Sequence, residues 1–118
     1  MARHNAQGRA AEERALHHLQ ARGLRLLDRN FRSRGGEIDL IMRQGNLLVF
    51  VEVRYRQNSN FGSPFETVTT TKQRRLITTA AHYLQQQRLD LPCRFDVVGI
   101  TGAQQEQVEW IQDAFQLQ

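Results

Sequence analysis

Two carboxylates, Asp39 and Glu52, come face to face when residues are counted across one short turn. Gly45-Asn46 separates the apolar runs Ile38 to Met42 and Leu47 to Val53, the pattern of a hairpin with a two-residue loop. Gln44 then faces Leu47. Ile38, Leu40 and Met42 face Val53, Val51 and Val49 on one apolar side, while Glu37, Asp39, Ile41 and Arg43 meet Arg54, Glu52, Phe50 and Leu48 on the other. Like charges directly opposite each other destabilise a sheet. The conflict is relieved if one acid takes up a proton, as paired acids do, or if a cation sits between them. Mg²⁺ suits such a site, because it takes one or two carboxylates and leaves its other positions to water and phosphate. A longer turn would instead slip the register by one residue and leave both acids solvated at a strand end.

The neighbouring residues extend this chemistry. Arg54 lies two residues beyond Glu52, which on a strand is the same face. Glu12 and Glu13 place carboxylates on an N-terminal helical segment as well. A divalent ion held by carboxylates polarises a phosphoryl oxygen and lowers the pKa of bound water. A cation beside it stabilises the charge that develops on phosphate. The set fits hydrolysis of a phosphodiester. Glu37 has a plainer reading, since it faces Arg54 in this register, and an exposed pair of that kind contributes roughly 0–1 kcal/mol.

Cations cluster near these acids. Arg29, Arg32 and Arg34 lead into Gly35-Gly36, and Arg54, Tyr55, Arg56, Phe61 and Phe65 interleave charge with aromatic rings. Such a mixture contacts phosphates and stacks on bases; equally, the two phenylalanines can pin the loop to the core. Lys72, Arg74 and Arg75 gather at the start of a second helix, against the preference of the helix dipole. That is the mark of an anion site or of a solvated face.

The elements that must position these residues follow from pattern. Ala11, Ala15, Leu16 and Leu19 recur at helical spacing over Gly8 to Arg22, with Gly23 as the stop. Glu12 and Glu13 fall in its first turns, where the dipole favours acids. Leu24 to Phe31 reads as a strand blurred by Leu27, then comes the hairpin, and residues 57–69 form an aperiodic loop. Thr70-Thr71-Lys72-Gln73 matches a capping box opening a helix over Lys72 to Arg88, with Leu76, Ile77, Ala80, Ala81 and Leu84 as its buried stripe. Arg94 to Thr101 is a further strand, Val108 to Ile111 a last short one, and Asp113 to Phe115 a terminal turn. The order α-β-β-β-α-β, an antiparallel meander followed by a helical crossover, gives an α/β fold with a mixed sheet flanked by helices.

Composition sets the outer bounds. One domain spanning residues 1–118 is expected from the length of 118 residues. No apolar run approaches the roughly 18 residues needed to span a membrane, and the N-terminus lacks the apolar core of a secretory signal. Cys93 is the only cysteine, so no internal disulfide forms. These features point to the cytoplasm. Sixteen basic residues against 12 acidic ones give a net charge of +4 and a pI of about 10.2, compatible with a phosphate-bearing partner. Lys72 is the only lysine.

The chain resembles the YraN family of bacterial proteins, related to Holliday junction resolvases within the PD-(D/E)XK nuclease superfamily. The resemblance rests on Gly-Arg-Ala-Ala-Glu-Glu at 8–13, Arg-Gly-Gly-Glu-Ile-Asp-Leu-Ile at 34–41 and Phe-Val-Glu-Val-Arg-Tyr-Arg at 50–56. Phe-Gly-Ser-Pro at 61–64, Lys-Gln-Arg-Arg-Leu at 72–76 and Arg-Phe-Asp-Val-Val at 94–98 extend it. It implies a restriction-endonuclease-like α-β-β-β-α-β core. It also implies a metal-dependent endonuclease acting on DNA, on branched or repair intermediates, with Mg²⁺ or in its place Mn²⁺ as cofactor. By motif position Asp39, Glu52 and Glu12 are the metal-binding acids and Glu37 an accessory acid. Arg54 stands where the superfamily has a lysine, and arginine does not release its proton as lysine can. Lys72 falls on a recurrent family position and is the alternative source of an amine. Nucleic-acid contacts are expected from Arg34, Arg56, Lys72, Arg74 and Arg75, and a homodimer by analogy with resolvases, which cut two symmetric strands. The alternatives are a nucleic-acid-binding module that keeps the fold without catalysis, and an interaction protein whose acids serve in ion pairs.

Overall fold

Asn5 opens the first helix by accepting the amide of Gly8 on its side chain at 2.8 Å, which satisfies one of the donors a helix start leaves over. The computed structural model describes residues 5–58, 60 and 62–116. Helix α1 (Ala6–Ala21) buries Ala11, Ala15, Leu16 and Leu19 as their spacing predicts, and ends at Gly23 with φ 93°. It starts early enough to place Glu12 in mid-helix. Glu12 is 3% exposed, so the expected dipole role is replaced by burial against the sheet.

Strands β1 (Arg25–Ser33), β2 (Gly36–Gln44) and β3 (Leu47–Arg56) form an antiparallel meander. The blur at Leu27 is a register shift between Leu26 and Asp28. The hairpin register is the one counted from Gly45-Asn46, with Gln44 opposite Leu47 and Leu40 opposite Val51. Gly45 carries φ 60°, as the first central residue of a type II′ turn requires.

A single 3₁₀ turn, Pro64–Thr67, lies in the loop after β3, and helix α2 (Thr70–Gln87) follows. The cap of α2 is Thr69, whose hydroxyl accepts the Lys72 amide at 3.2 Å, one residue earlier than the expected Thr70. The capping box belongs to the 3₁₀ turn, where Ser63 and Glu66 exchange side-chain and backbone bonds. The buried stripe of α2 is Leu76, Thr79, Ala80 and Tyr83; Ala81 is exposed, because the helix rolls its Thr79–Tyr83 side onto the sheet.

Crossover through α2 returns the chain to β4 (Cys93–Thr101), parallel to β3, and β5 (Gln107–Phe115) pairs antiparallel to β4. The sheet order is β1-β2-β3-β4-β5. The expected terminal turn at Asp113 is part of β5 instead. Asp113 has φ 52°, and its amide donates to the buried Asp96 at 2.9 Å, which carries the strand on to Phe115.

Two cores lie on the two faces of this sheet. Leu40, Met42, Val49, Val51 and Val53 pack under α1, whereas Ile38, Ile41, Phe50, Val97 and Phe95 pack under α2. Ile38 therefore does not share a face with Leu40, as strict alternation predicts. Strand β2 inverts between them, at Asp39.

Candidate active site

The inversion has a local cause. In a hairpin closed at Gln44–Leu47, hydrogen-bonded pairs alternate, so that after Leu40–Val51 the next would be Ile38–Val53. The described ladder stops at Leu40–Val51, and the Val53 amide donates to Asp39 Oδ2 at 2.7 Å. A side-chain carboxylate takes the donor that an unbroken ladder would give to Ile38. Strands β2 and β3 fork at this point, and Asp39, 1% exposed, sits in the fork.

Across β1, Asn30 lies between the register pairs Arg29–Leu40 and Phe31–Ile38, and so opposite Asp39. Asn30 adopts φ 54°, a left-handed conformation that asparagine tolerates better than most side chains. Its Nδ2 donates to Glu12 Oε1 at 3.0 Å. The kink in β1 thus ties the helix acid to the strand beside the fork.

Glu52 points to the α2 side and is 3% exposed. Its Oε2 lies 3.1 Å from Arg54 Nη1 and 3.3 Å from Lys72 Nζ. Arg54 and Lys72, the two candidates for the cation of the site, therefore converge on one oxygen from two elements. Arg54 is braced behind by Thr67, whose Oγ1 accepts from Nε at 2.8 Å and donates to the Pro64 carbonyl at 2.7 Å. Pro64 packs on Gly99, where a Cβ would lie 2.1 Å from its Cγ, and Gly99 is the β4 partner of Arg54 in register. Thr67, Asn30 and Gly99 were not legible as site residues. The Ser63-x-x-Glu66 spacing, itself a capping box, was the signal that the loop holds an ordered turn.

Glu12, Glu37 and Glu52 are distributed over two clefts, and Asp39 lines neither of them. Glu12 lines one with Gly8, Val53, Arg54 and Tyr55. Glu37 and Glu52 line the other with Gly36, Lys72 and Arg75. Glu37 is not seated across from Arg54; it faces Arg32 on β1, and their side chains form an ion pair at 3.1 Å. Arg34 and Arg74 are exposed, and Arg56 Nη1 donates to the Gly62 carbonyl. Phe65 is partly buried against the α2-side core, and Phe61 lies outside the described residues.

Three buried carboxylates on three elements are hard oxygen donors of the type Mg²⁺ takes. Among the described residues, however, no group of three or more His, Cys, Asp and Glu is near enough to hold one ion together. The donor set fits an ion held by one or two strand carboxylates, with Glu12 tied instead to Asn30. No helix of the described residues is long and apolar enough to cross a membrane.

The chain is similar along nearly its whole length to other bacterial proteins. A protein of Nitrosococcus oceani named UPF0102 protein is 50% identical over 99% of this chain and 97% of its own. One of Shewanella amazonensis with the same name is 52% identical over 92% of this chain and 97% of its own. A third, from Chromohalobacter salexigens, is 54% identical over 92% and 89%. A model of the family described as uncharacterised protein family UPF0102 matches residues 11–100, and with these relatives it establishes that the chain belongs to that family.

Proposed function

We propose that this chain is a metal-dependent endonuclease that hydrolyses phosphodiester bonds in DNA, in branched or repair intermediates, in the cytoplasm. The observation that carries the reading is the fork. A buried acid, Asp39, parts two strands beside a second buried acid, Glu52, on which two cations converge. Burying charge is costly unless it is paired, and here two acids are buried on the neighbouring strands β2 and β3.

Asp39 and Glu52 would hold Mg²⁺, which when bound supplies polarisation of a phosphoryl oxygen and a water of lowered pKa. Arg54, held by Thr67 and Glu52, offers a fixed guanidinium for a phosphate oxygen. Lys72 and Arg75 line the cleft of Glu37 and Glu52 and supply further positive charge at the start of α2. Arg34 and Arg74, both exposed, would contact the nucleic-acid backbone.

A cleavage screen over duplex, single-stranded, flapped and four-way DNA with Mg²⁺ tests this, comparing wild type with identically prepared Asp39→Asn. The expected result is cutting by wild type that Asp39→Asn loses. Equal cutting by both preparations would trace the activity to a contaminant. A second reading, a DNA-binding module without catalysis, is favoured by the neutralisation of Glu52 by two cations and by the lack of a three-ligand group among the described residues. DNA affinity retained with no cutting and no divalent-ion binding would select it.

A further inference from the structure

The two cations on Glu52 Oε2 are not equivalent. Arg54 is fixed from behind by Thr67, which is itself bonded to Pro64, and Pro64 is wedged on Gly99. Its side chain is 23% exposed, against 38% for Lys72. Lys72 reaches the same oxygen from the first turn of α2, on a flexible stem that ends in a compact point charge with rotatable donors. It also lines the cleft shared by Gly36, Glu37, Glu52 and Arg75, so its ammonium has two destinations within one stem length. One is the carboxylate; the other is an anion lying in the cleft beside Arg75.

We propose that Lys72 is a movable charge partner. It neutralises Glu52 until a divalent ion binds there, and it then turns to a phosphate of the nucleic acid in the cleft. This inference rests on the metal-site reading given above. A divalent ion on Glu52 would be repelled by both cations already beside that oxygen. Arg54 is held in place by its brace, so relief comes from Lys72. The ammonium released in this way meets an incoming phosphate. Metal and nucleic acid thereby strengthen each other's binding, and by linkage the coupling is the same read from either ligand.

The test uses Ca²⁺ as the probe ion and a fluorescent four-way DNA as the probe nucleic acid, at constant ionic strength. Calorimetry gives Ca²⁺ affinity without DNA, and anisotropy gives DNA affinity with and without Ca²⁺. Wild type is compared with Lys72→Met, which keeps the stem and removes the charge, and with Lys72→Gln as a second neutral variant. Unfolding midpoints confirm that each is folded. Both variants are expected to bind Ca²⁺ about five-fold more tightly than wild type, a coupling of ordinary size. The factor by which Ca²⁺ tightens DNA binding is expected to shrink correspondingly. Ca²⁺ affinity that is unchanged or weaker in both variants overturns the proposal. Asp39→Asn separates the two levels of failure. If wild type and Asp39→Asn bind Ca²⁺ alike, the metal-site reading fails and this inference with it. If Ca²⁺ binding needs Asp39 but is not tightened by the Lys72 variants, the inference alone fails.

Discussion

Asp39 Oδ2 accepts the backbone amide of Val53 at 2.7 Å, so an acid of β2 closes the hydrogen-bond account of β3 at the point where the two strands part. The Asp39 side chain is therefore structural, and on the proposed function it is a metal ligand as well; the two roles can be separated. Asp39→Asn keeps an oxygen for the Val53 amide, and its stability is expected within about 1 kcal/mol of wild type. Asp39→Ala leaves a buried donor without that acceptor and is expected to lose about 1–3 kcal/mol in urea unfolding. Both should abolish divalent-ion binding. Equal stability of the two variants would refute the structural role.

Asn30 carries the second prediction. Its left-handed backbone and its bond to Glu12 are separable by size. Asn30→Gly keeps the conformation without strain and loses the Glu12 bond; Asn30→Ala loses the bond and strains the backbone. The alanine variant is expected to be about 1 kcal/mol less stable than the glycine variant. A reversed order in thermal unfolding would mean that the kink does not constrain this position.

Gly99 lies directly under the loop, and it sets the position of Arg54 through Pro64 and Thr67. Gly99→Ala would drive a methyl into Pro64, and overpacking of this kind costs typically about 1–3 kcal/mol. Thr67→Val keeps the shape of the side chain but removes both the brace on Arg54 and the bond to the Pro64 carbonyl, and should cost about 1–3 kcal/mol. On the proposed function, Thr67→Val should lower the cleavage rate and leave DNA affinity nearly unchanged. Unaltered cleavage in Thr67→Val would show that Arg54 needs no brace.

Most of the fold was legible because periodicity and turn chemistry agreed. The Gly45-Asn46 turn counted out the hairpin register as far as Leu40–Val51, beyond which the counted pairs Asp39–Glu52, Ile38–Val53 and Glu37–Arg54 are absent from the described ladder, and the α1 stripe landed on the residues that are buried. What failed did so at places where a side chain replaces a backbone partner. Ile38 changes face because the Asp39 carboxylate occupies a ladder donor, which alternation cannot register. Strand β5 runs through Asp113 because the buried Asp96 accepts that residue's amide from 17 positions away. In the site, Glu52 was legible with its neighbour Arg54, two residues along the strand. The contact with Lys72 was legible only as an alternative, since it depends on how α2 lies over the sheet.

His18 offers a prediction in pH. Partial burial, with Arg22 and Arg14 nearby, holds its imidazole below the ordinary 6.5. The unfolded chain therefore takes up this proton first, and stability falls as pH drops through 6.5 towards the folded value. The ring meets Trp110 edge-on at 6.2 Å, and Trp110 is the only tryptophan, so its fluorescence follows unfolding beside this group. The urea midpoint of wild type should fall more steeply between pH 7.5 and 5.5 (an assay range of about two units around the ordinary histidine value) than that of His18→Gln. Parallel pH profiles would exclude this contribution.

The hairpin is closed at Gly45-Asn46 and open at Asp39, and its closed end lies roughly 17 Å along the strand from the fork. Cys93, the lone and exposed thiol, is paired in register with Leu48 at that same closed end. A dye or surface tether attached to this sulfur would stand well away from both acid-lined clefts. Native chain, with no cysteine added or removed, is thus ready for a single-molecule test of the proposed function.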